Sequence, residues 1–321
     1  MTFHDEQLRV LANLSTAYDS WLMGARLRAQ YPHRLVWKTV SGADYLYEVL
    51  DGSGNARSMG RRSEATETLF AESDTARSSA KGRISGAETR MAQLWPIYRG
   101  LKLPLISEDA GDVLRQADVD GFLGRALVVV GTNTMPAYEL EARERFATGL
   151  DATQDCDLAW MGDASIAMSI SGEIKEPILA LLKRVNSSYT VNSERPFQVL
   201  NNKAYEVEIL LAPSLVSAYP AKEKIRPTPL PEQEWLLLGQ RVEQVVFDRS
   251  AQPAKIIAPD PRWMALHKLW LADKPRRRLD KKEKDRNQGL ALLNAIRCAM
   301  PHYPIDESFC ESVPAELRRY L

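Results

Sequence analysis

In the stretch ATQDCDLAW, Ala152 to Trp160, two aspartates stand one residue apart inside a strand-like run. Strand side chains alternate between faces, so Asp155 and Asp157 share one face while Cys156 and Leu158 share the other. Two unit charges about 4 Å apart repel by roughly 4 kcal/mol at an effective dielectric of 20. Unless positive charge meets them, one carboxyl group must take up a proton. A fold of this chain therefore has to bring a cation to that face, from a side chain or from solution. Oxygen ligands beside phosphates are what magnesium prefers, so a divalent ion is one answer.

The spacing alone is not distinctive, because Asp118/Asp120, Glu139/Glu141 and Glu232/Glu234 repeat it and a solvated surface accommodates each. The neighbourhood is what separates Asp155/Asp157. An apolar run, ALVVV, stops at Gly131-Thr132, a helix-friendly segment follows, and the acidic strand comes next. Further on, AYEVEILLA places Glu206 and Glu208 on one face of another strand. A third carboxylate from that strand would complete a two-metal clamp, with ions about 3.5–4 Å apart holding an attacking oxygen and a phosphate. Gly131 lets the backbone approach a phosphate with no Cβ in the way, and the N–H groups of residues 132–135 would open a helix toward it.

At 321 residues, with 45% hydrophobic and 26% charged, the chain is long enough for two or three domains around substantial cores. Lys+Arg and Asp+Glu are both 42, so no overall field favours nucleic acid or membrane, and only local clustering can. The three cysteines and four histidines have no metal-ligand spacing, which argues against zinc and for a reducing cytoplasm. No apolar run approaches the roughly 20 residues that span a bilayer, and the N-terminus is acidic and amphipathic, so no membrane partner is expected. The expected class is α/β (α+β): a mixed sheet with flanking helices, between helical N- and C-terminal regions. Three segments are expected: residues 1–120, mostly helical with a small hairpin; 121–225, the core; and 226–321, a hairpin and helices. Within the first, helical composition over residues 63–122 is expected to break at GRISG, Pro96 and Pro104. Gly52, Gly54 and Gly60 read as turn residues, since no Gly-Lys-Ser/Thr follows them. Within the last, Pro261 opens one helix and GLALLNAIRCAM forms the final one.

Lys268 stands among apolar helical neighbours, and Lys284 and Asp285 stand at the start of another helix. A lysine there can reach a triphosphate as a point charge, or snorkel to solvent. His267 reads as a packing residue. Lys274–Arg286 holds eight basic and three acidic residues in a chain whose net charge is zero. Such a run is either a solvated face or a grip on an RNA backbone, and it contains no aromatic residue to read bases.

The order Gly131-Thr132, Asp155-x-Asp157, Glu208 resembles the DNA polymerase β-like nucleotidyltransferase superfamily, with its Gly-Ser turn, Asp-x-Asp strand and later third acid. The wording is nearer still to a bacterial nucleotidyltransferase-fold group. That likeness lies in Ala137-Tyr138-Glu139 after the Gly-Thr, Thr153 ahead of the acids, Val207–Leu210, the hairpin Trp37–Tyr47 and the loop Ser58–Glu67, nearly the whole chain. Thr132 stands for the common serine, Glu208 for the commoner aspartate, and the gap from Thr132 to Asp155 is long, which implies an extended helix between them. The resemblance implies metal-dependent transfer of a nucleoside monophosphate from an NTP to an acceptor hydroxyl. Asp155, Asp157 and Glu208 would be catalytic and hold two Mg2+ or Mn2+ ions, and Gly131, Thr132, Lys268, Lys284 and Asp285 would bind the nucleotide. Two other readings stay open: a non-catalytic nucleotide- or RNA-binding module on the same fold, and an interaction protein paired with a partner such as an antitoxin.

Overall fold

In the computed structural model, which describes residues 2–146, 155–162 and 176–321, the strand-like runs go into three separate sheets. Thr153, which the sequence reading attached to the acidic strand, lies outside the described residues. The chain divides into two compact units, residues 16–93 and residues 1–15 with 94–321.

The smaller unit takes in most of α1 (Asp5–Gln30), then β1 (Arg34–Val40), β2 (Ala43–Val49), β3 (Ala56–Arg61) and most of α2 (Glu64–Gly100). The strands form one antiparallel sheet in the order β1-β2-β3, so the small hairpin gains a third strand. Ser41 and Gly42 both have positive φ, 51° and 80°, the two-residue turn whose twist suits a hairpin. The expected breaks at GRISG and Pro96 do not occur, because α2 runs through Gly82, Gly86 and Pro96 without interruption. Its buried residues Ala80, Ala87, Met91, Leu94 and Tyr98 follow helical spacing across all three positions. A continuous buried stripe outweighs local cost here, since each interior glycine costs only about 1 kcal/mol relative to alanine. Gly24 serves contact instead: a Cβ there would lie 2.9 Å from Ile84 Cγ1, so α1 and α2 touch at that point.

The larger unit contains β4 (Leu105–Ile106), α3 (Glu108–Val119), β5 (Leu127–Val130), α4 (Met135–Glu141), β6 (Asp155–Trp160) and α5 (Pro177–Val185). It continues with β7 (Thr190–Val191), β8 (Gln198–Leu200), β9 (Glu206–Leu210), β10 (Val242–Asp248) and β11 (Pro253–Ala258). The helices α6 (Pro261–Asp273), α7 (Leu279–Ala299) and α8 (Glu307–Ser312) close it. Its main sheet has the order β5-β6-β9-β8-β7, with β6 antiparallel to β5 and parallel to β9. All four residues of β5 are buried, as an unbroken apolar run requires. The hairpin β10–β11 pairs with β4 in a second sheet, on which α3 and α4 pack. Buried Asp248 fastens α3 to it, accepting from Arg115 Nη1 at 2.8 Å and from the Ser250 and Gln252 N–H groups.

Two helix expectations need correction. The helix after Gly131-Thr132 is not extended, because α4 ends at Glu141 and Arg143 turns left-handed at φ 51°. The chain there pairs with the N-terminus instead, the Phe3 N–H donating to the Arg143 carbonyl at 2.7 Å. The last long helix starts at Leu279 rather than Gly289, so half of the basic run is helical. Gly289 sits mid-helix because a Cβ would stand 2.7 Å from Leu269 Cγ, where α6 and α7 cross. Among the described residues no helix is long and apolar enough to cross a membrane.

A Cβ at Gly82 or Gly86 would meet nothing within 4 Å. Gly82→Ala and Gly86→Ala should therefore each raise the unfolding free energy by about 0.5–1 kcal/mol in urea titrations. Destabilisation by either would mean that the chain bends there.

Candidate active site

Parallel pairing of β6 with β9 sets Asp155 opposite Glu206 and Asp157 opposite Glu208. Cys156, Leu158, Val207 and Ile209 are buried on the core side, while all four acids keep part of their surface exposed on the other. A cavity of about 430 Å³ opens on that face; Asp155, Asp157 and Glu208 line it, and Glu206 does not. Geometry thus separates two glutamates that strand alternation leaves equivalent. Gln198 on β8, opposite Glu208 in the register, donates its Nε2 hydrogen to Glu208 Oε1 at 2.5 Å.

Gly131 has φ +70°, and a Cβ there would lie 2.2 Å from Asp157 Oδ2. Only glycine meets both demands at this position. The room expected for a phosphate at Gly131 is taken on that side by the Asp157 carboxylate. Behind it, a 3-10 turn over Gly131–Thr134 leads into α4. Asn133 Nδ2 donates to the Asp155 carbonyl at 2.7 Å, and Thr134 Oγ1 to the Gly131 carbonyl at 2.7 Å. Gln288, buried on α7, donates to Thr132 Oγ1 at 3.4 Å.

The positive partners come from α6, α7 and the turn between them. Lys281 Nζ stands 3.9 Å from Asp155 Oδ2. Lys268, almost wholly buried, holds Asp285 Oδ1 at 2.9 Å, and Arg277 holds the other carboxylate oxygen at 2.6 Å. Burial pushes the Asp285 carboxyl up, but Lys268 and Arg277 together more than offset it and keep its pKa below the usual value. Burial, then the Lys268 charge, lowers the Lys284 pKa. Lys268, Arg277, Lys281 and Lys284 share a recess with Thr132 and the two aspartates. Gly131, Thr132, Asp155, Asp157, Glu208, Lys268, Lys284 and Asp285 thus each line either this recess or the cavity, whereas Asn133, Thr134 and Met135, whose N–H groups are expected from the sequence to face a phosphate, line neither. The countercharge is incomplete, however. The Asp157 carboxyl is pushed up to about 7, first by burial and then by Asp155 and Glu208, with Lys268 and Lys281 only partly opposing them.

Much of the Lys274–Arg286 charge is engaged within the run and its flanks. Arg277 binds Asp285, Arg278 binds Asp280, Arg286 binds Asp273, and Lys274 Nζ lies 3.3 Å from the centre of the Trp270 ring.

The rest of the cavity lining is largely apolar, including Phe197, Leu210, Leu230, Leu236 and Leu271, with Gln233 and His267 among them. His267 packs edge-on against Trp235 with ring centroids 6.3 Å apart, as a packing residue does. Burial holds its pKa down at about 3, so the imidazole is neutral. Among the described residues neither of its ring nitrogens nor Gln233 Oε1 has a hydrogen-bond partner. Buried polar atoms of this kind cost about 1–3 kcal/mol each unless a ligand or water meets them. The importance of Gln198, Gln233 and Gln288 carried no sequence signal, because a glutamine's role is fixed by what the fold sets opposite it.

A divalent cation suits this donor set. Carboxylate oxygens that repel one another and are only partly compensated are what such an ion neutralises. The site is not pre-gathered: among the described residues no three His, Cys, Asp or Glu side chains converge to hold an ion. Gln198 holds the Glu208 carboxylate meanwhile.

Residues 108–313 match the model of a family described as nucleotidyltransferase, a span that includes the acids, the lysines and the whole cavity lining. No curated protein and no solved structure matches the chain.

Because the folded chain raises the Asp157 pKa, it favours the protonated carboxyl. That contribution to stability is fully present below the unfolded value of about 3.9 and is lost as pH rises through about 7. Asp157→Asn keeps the shape without the charge. In EDTA its melting temperature should exceed that of the natural chain by more at pH 8 than at pH 4.5. Equal differences at the two pH values would show that Asp157 does not titrate in this way.

Proposed function

We infer the reaction from the family to which the chain belongs, the nucleotidyltransferases. It moves a nucleoside monophosphate from an NTP to an acceptor hydroxyl. One observation carries this reading, the single cavity that sets Asp155, Asp157 and Glu208 on one side and Lys268, Arg277 and Lys281 on another. The polymerase β-like arrangement inferred from sequence is supported by the acids' places on adjacent parallel strands.

The triphosphate lies along the cations of α6 and α7, with Lys281 and Lys284 releasing their present partners to bind it. The nucleobase occupies the apolar lining, where Gln233 and His267 supply neutral donors and acceptors. Asp155 and Asp157, joined by Glu208 once it leaves Gln198, are the residues that would hold Mg2+ or Mn2+. A divalent ion held there would offset the negative charge of both carboxylates and phosphates. Glu208 accepts the proton of the acceptor hydroxyl. That oxygen forms a bond to the α-phosphorus, the bond from the α-phosphorus to the bridging oxygen breaks, and pyrophosphate leaves with the electron pair. Positioning and charge placement supply most of the rate enhancement.

The test incubates the chain with each α-labelled NTP, magnesium or manganese and a cell extract, following label into an acceptor. Asp155→Ala and Asp157→Ala should each abolish transfer, and Glu208→Gln should lower it by at least about 10²-fold. Glu206→Gln should be mild, since Glu206 does not line the cavity. Near-normal transfer in either aspartate variant would overturn the reading. Equal losses in the two glutamate variants would overturn the assignment of Glu208.

A further inference from the structure

The smaller unit carries a cluster of positive charge with few carboxylates among it. Within residues 16–93, a groove of about 610 Å³ runs between β1 and α2. Phe70, Asp74, Arg77 and Lys81 line it along one face of α2, β1 contributes Arg34 and Trp37, and the end of α1 contributes Arg28. Four cations thus face one carboxylate, in a chain whose total charge is zero. Arg77 is committed, its Nη1 donating to the Tyr31 carbonyl at 2.6 Å. Among the described residues Arg28, Arg34 and Lys81 make no ion pair, in contrast to Arg277, Arg278, Lys281 and Arg286 of the Lys274–Arg286 run. Three such cations can hold a multiply charged anion, and the same groove is lined by Trp37 and Phe70. Trp37 packs against Phe70 with centroids 5.9 Å apart, and the Arg62 guanidinium lies 5.2 Å from the Trp37 ring centre, so the indole is fixed in place. Cations beside fixed rings match a phosphate backbone that carries flat, unpaired bases. A bilayer would need exposed apolar residues standing proud of the surface, whereas these rings sit inside a groove.

We propose that this groove binds single-stranded nucleic acid, with phosphates on Arg28, Arg34 and Lys81 and bases against Trp37 and Phe70. The further step, that the bound strand is the acceptor, rests on the nucleotidyl-transfer reading; the binding itself does not.

The test uses the full chain without NTP and measures anisotropy of labelled 12-residue oligouridylate and oligothymidylate across a salt series. Three phosphate contacts give a log–log salt slope of about −2 for a single strand. Arg28→Gln, Arg34→Gln and Lys81→Gln combined should bring that slope close to zero and weaken binding at low salt by at least about tenfold. The melting temperature and NTP binding should stay as in the natural chain. Trp37→Leu should weaken oligonucleotide binding while leaving inorganic polyphosphate binding alone. An unchanged slope in the triple variant would overturn the proposal. So would inorganic polyphosphate that competes as an equal at matched charge, or binding of anionic lipid vesicles with none of the oligonucleotides. A natural chain that binds the strand through these residues yet transfers no label supports the groove and counts against the transfer reading alone.

Discussion

Mutual repulsion among Asp155, Asp157 and Glu208 is the constraint around which the larger unit is arranged. The sheet places all three on one cavity, and neither β6 nor β9 contains a lysine or arginine. Compensation arrives from 60 or more residues away in sequence, on α6 and α7, where Lys268 and Lys281 face the acids. Lys268 in turn must be held against its own burial, which Asp285 does, and Asp285 is balanced by Arg277. Close crossing of α6 and α7 at Gly289 is what lets this chain of alternating charges assemble. The balance stops short of neutrality, and that shortfall gives a dissolved cation something to do.

Local periodicity revealed what is local. The apolar run of β5, the alternation in β6 and β9, and the hairpin β10–β11 could each be read from neighbouring residues, and so could the candidate acids. What escaped depends on partners distant in sequence. Gly82, Gly86 and Pro96 read as breaks because each disfavours a helix locally, yet the buried stripe of α2 spans all three. Glu206 and Glu208 were separable only by resemblance, until the cavity excluded one of them. The basic run looked like free charge because sequence counting does not show which arginine reaches Asp273, Asp280 or Asp285. Conversely Arg28, Arg34, Arg77 and Lys81 are too scattered to register as a cluster before α1, β1 and α2 bring them to one groove.

The two sides of the cavity also differ in kind. The acid and lysine side is charged and partly solvated, so its contacts respond to salt and to pH near neutrality. The rest of the lining is largely apolar, and its polar members His267 and Gln233 stay neutral throughout that range. Phosphate and base would therefore be held by physically independent means, and the strength of one can change without the other.

The backbone pairing of Phe3 with Arg143, and the bridge from Thr2 to Glu144, have a consequence for the order of events during synthesis. Thr2 and Phe3 belong to the larger unit, but their partners are made more than a hundred residues later. Residues 16–93 have their contacts close in sequence and complete their unit first, since local closure costs less chain entropy. Residues 2–15 must meanwhile wait, solvated, through the whole of that interval. An acidic, amphipathic start such as HDEQLRVLANLS can do so without recruiting the wrong partner.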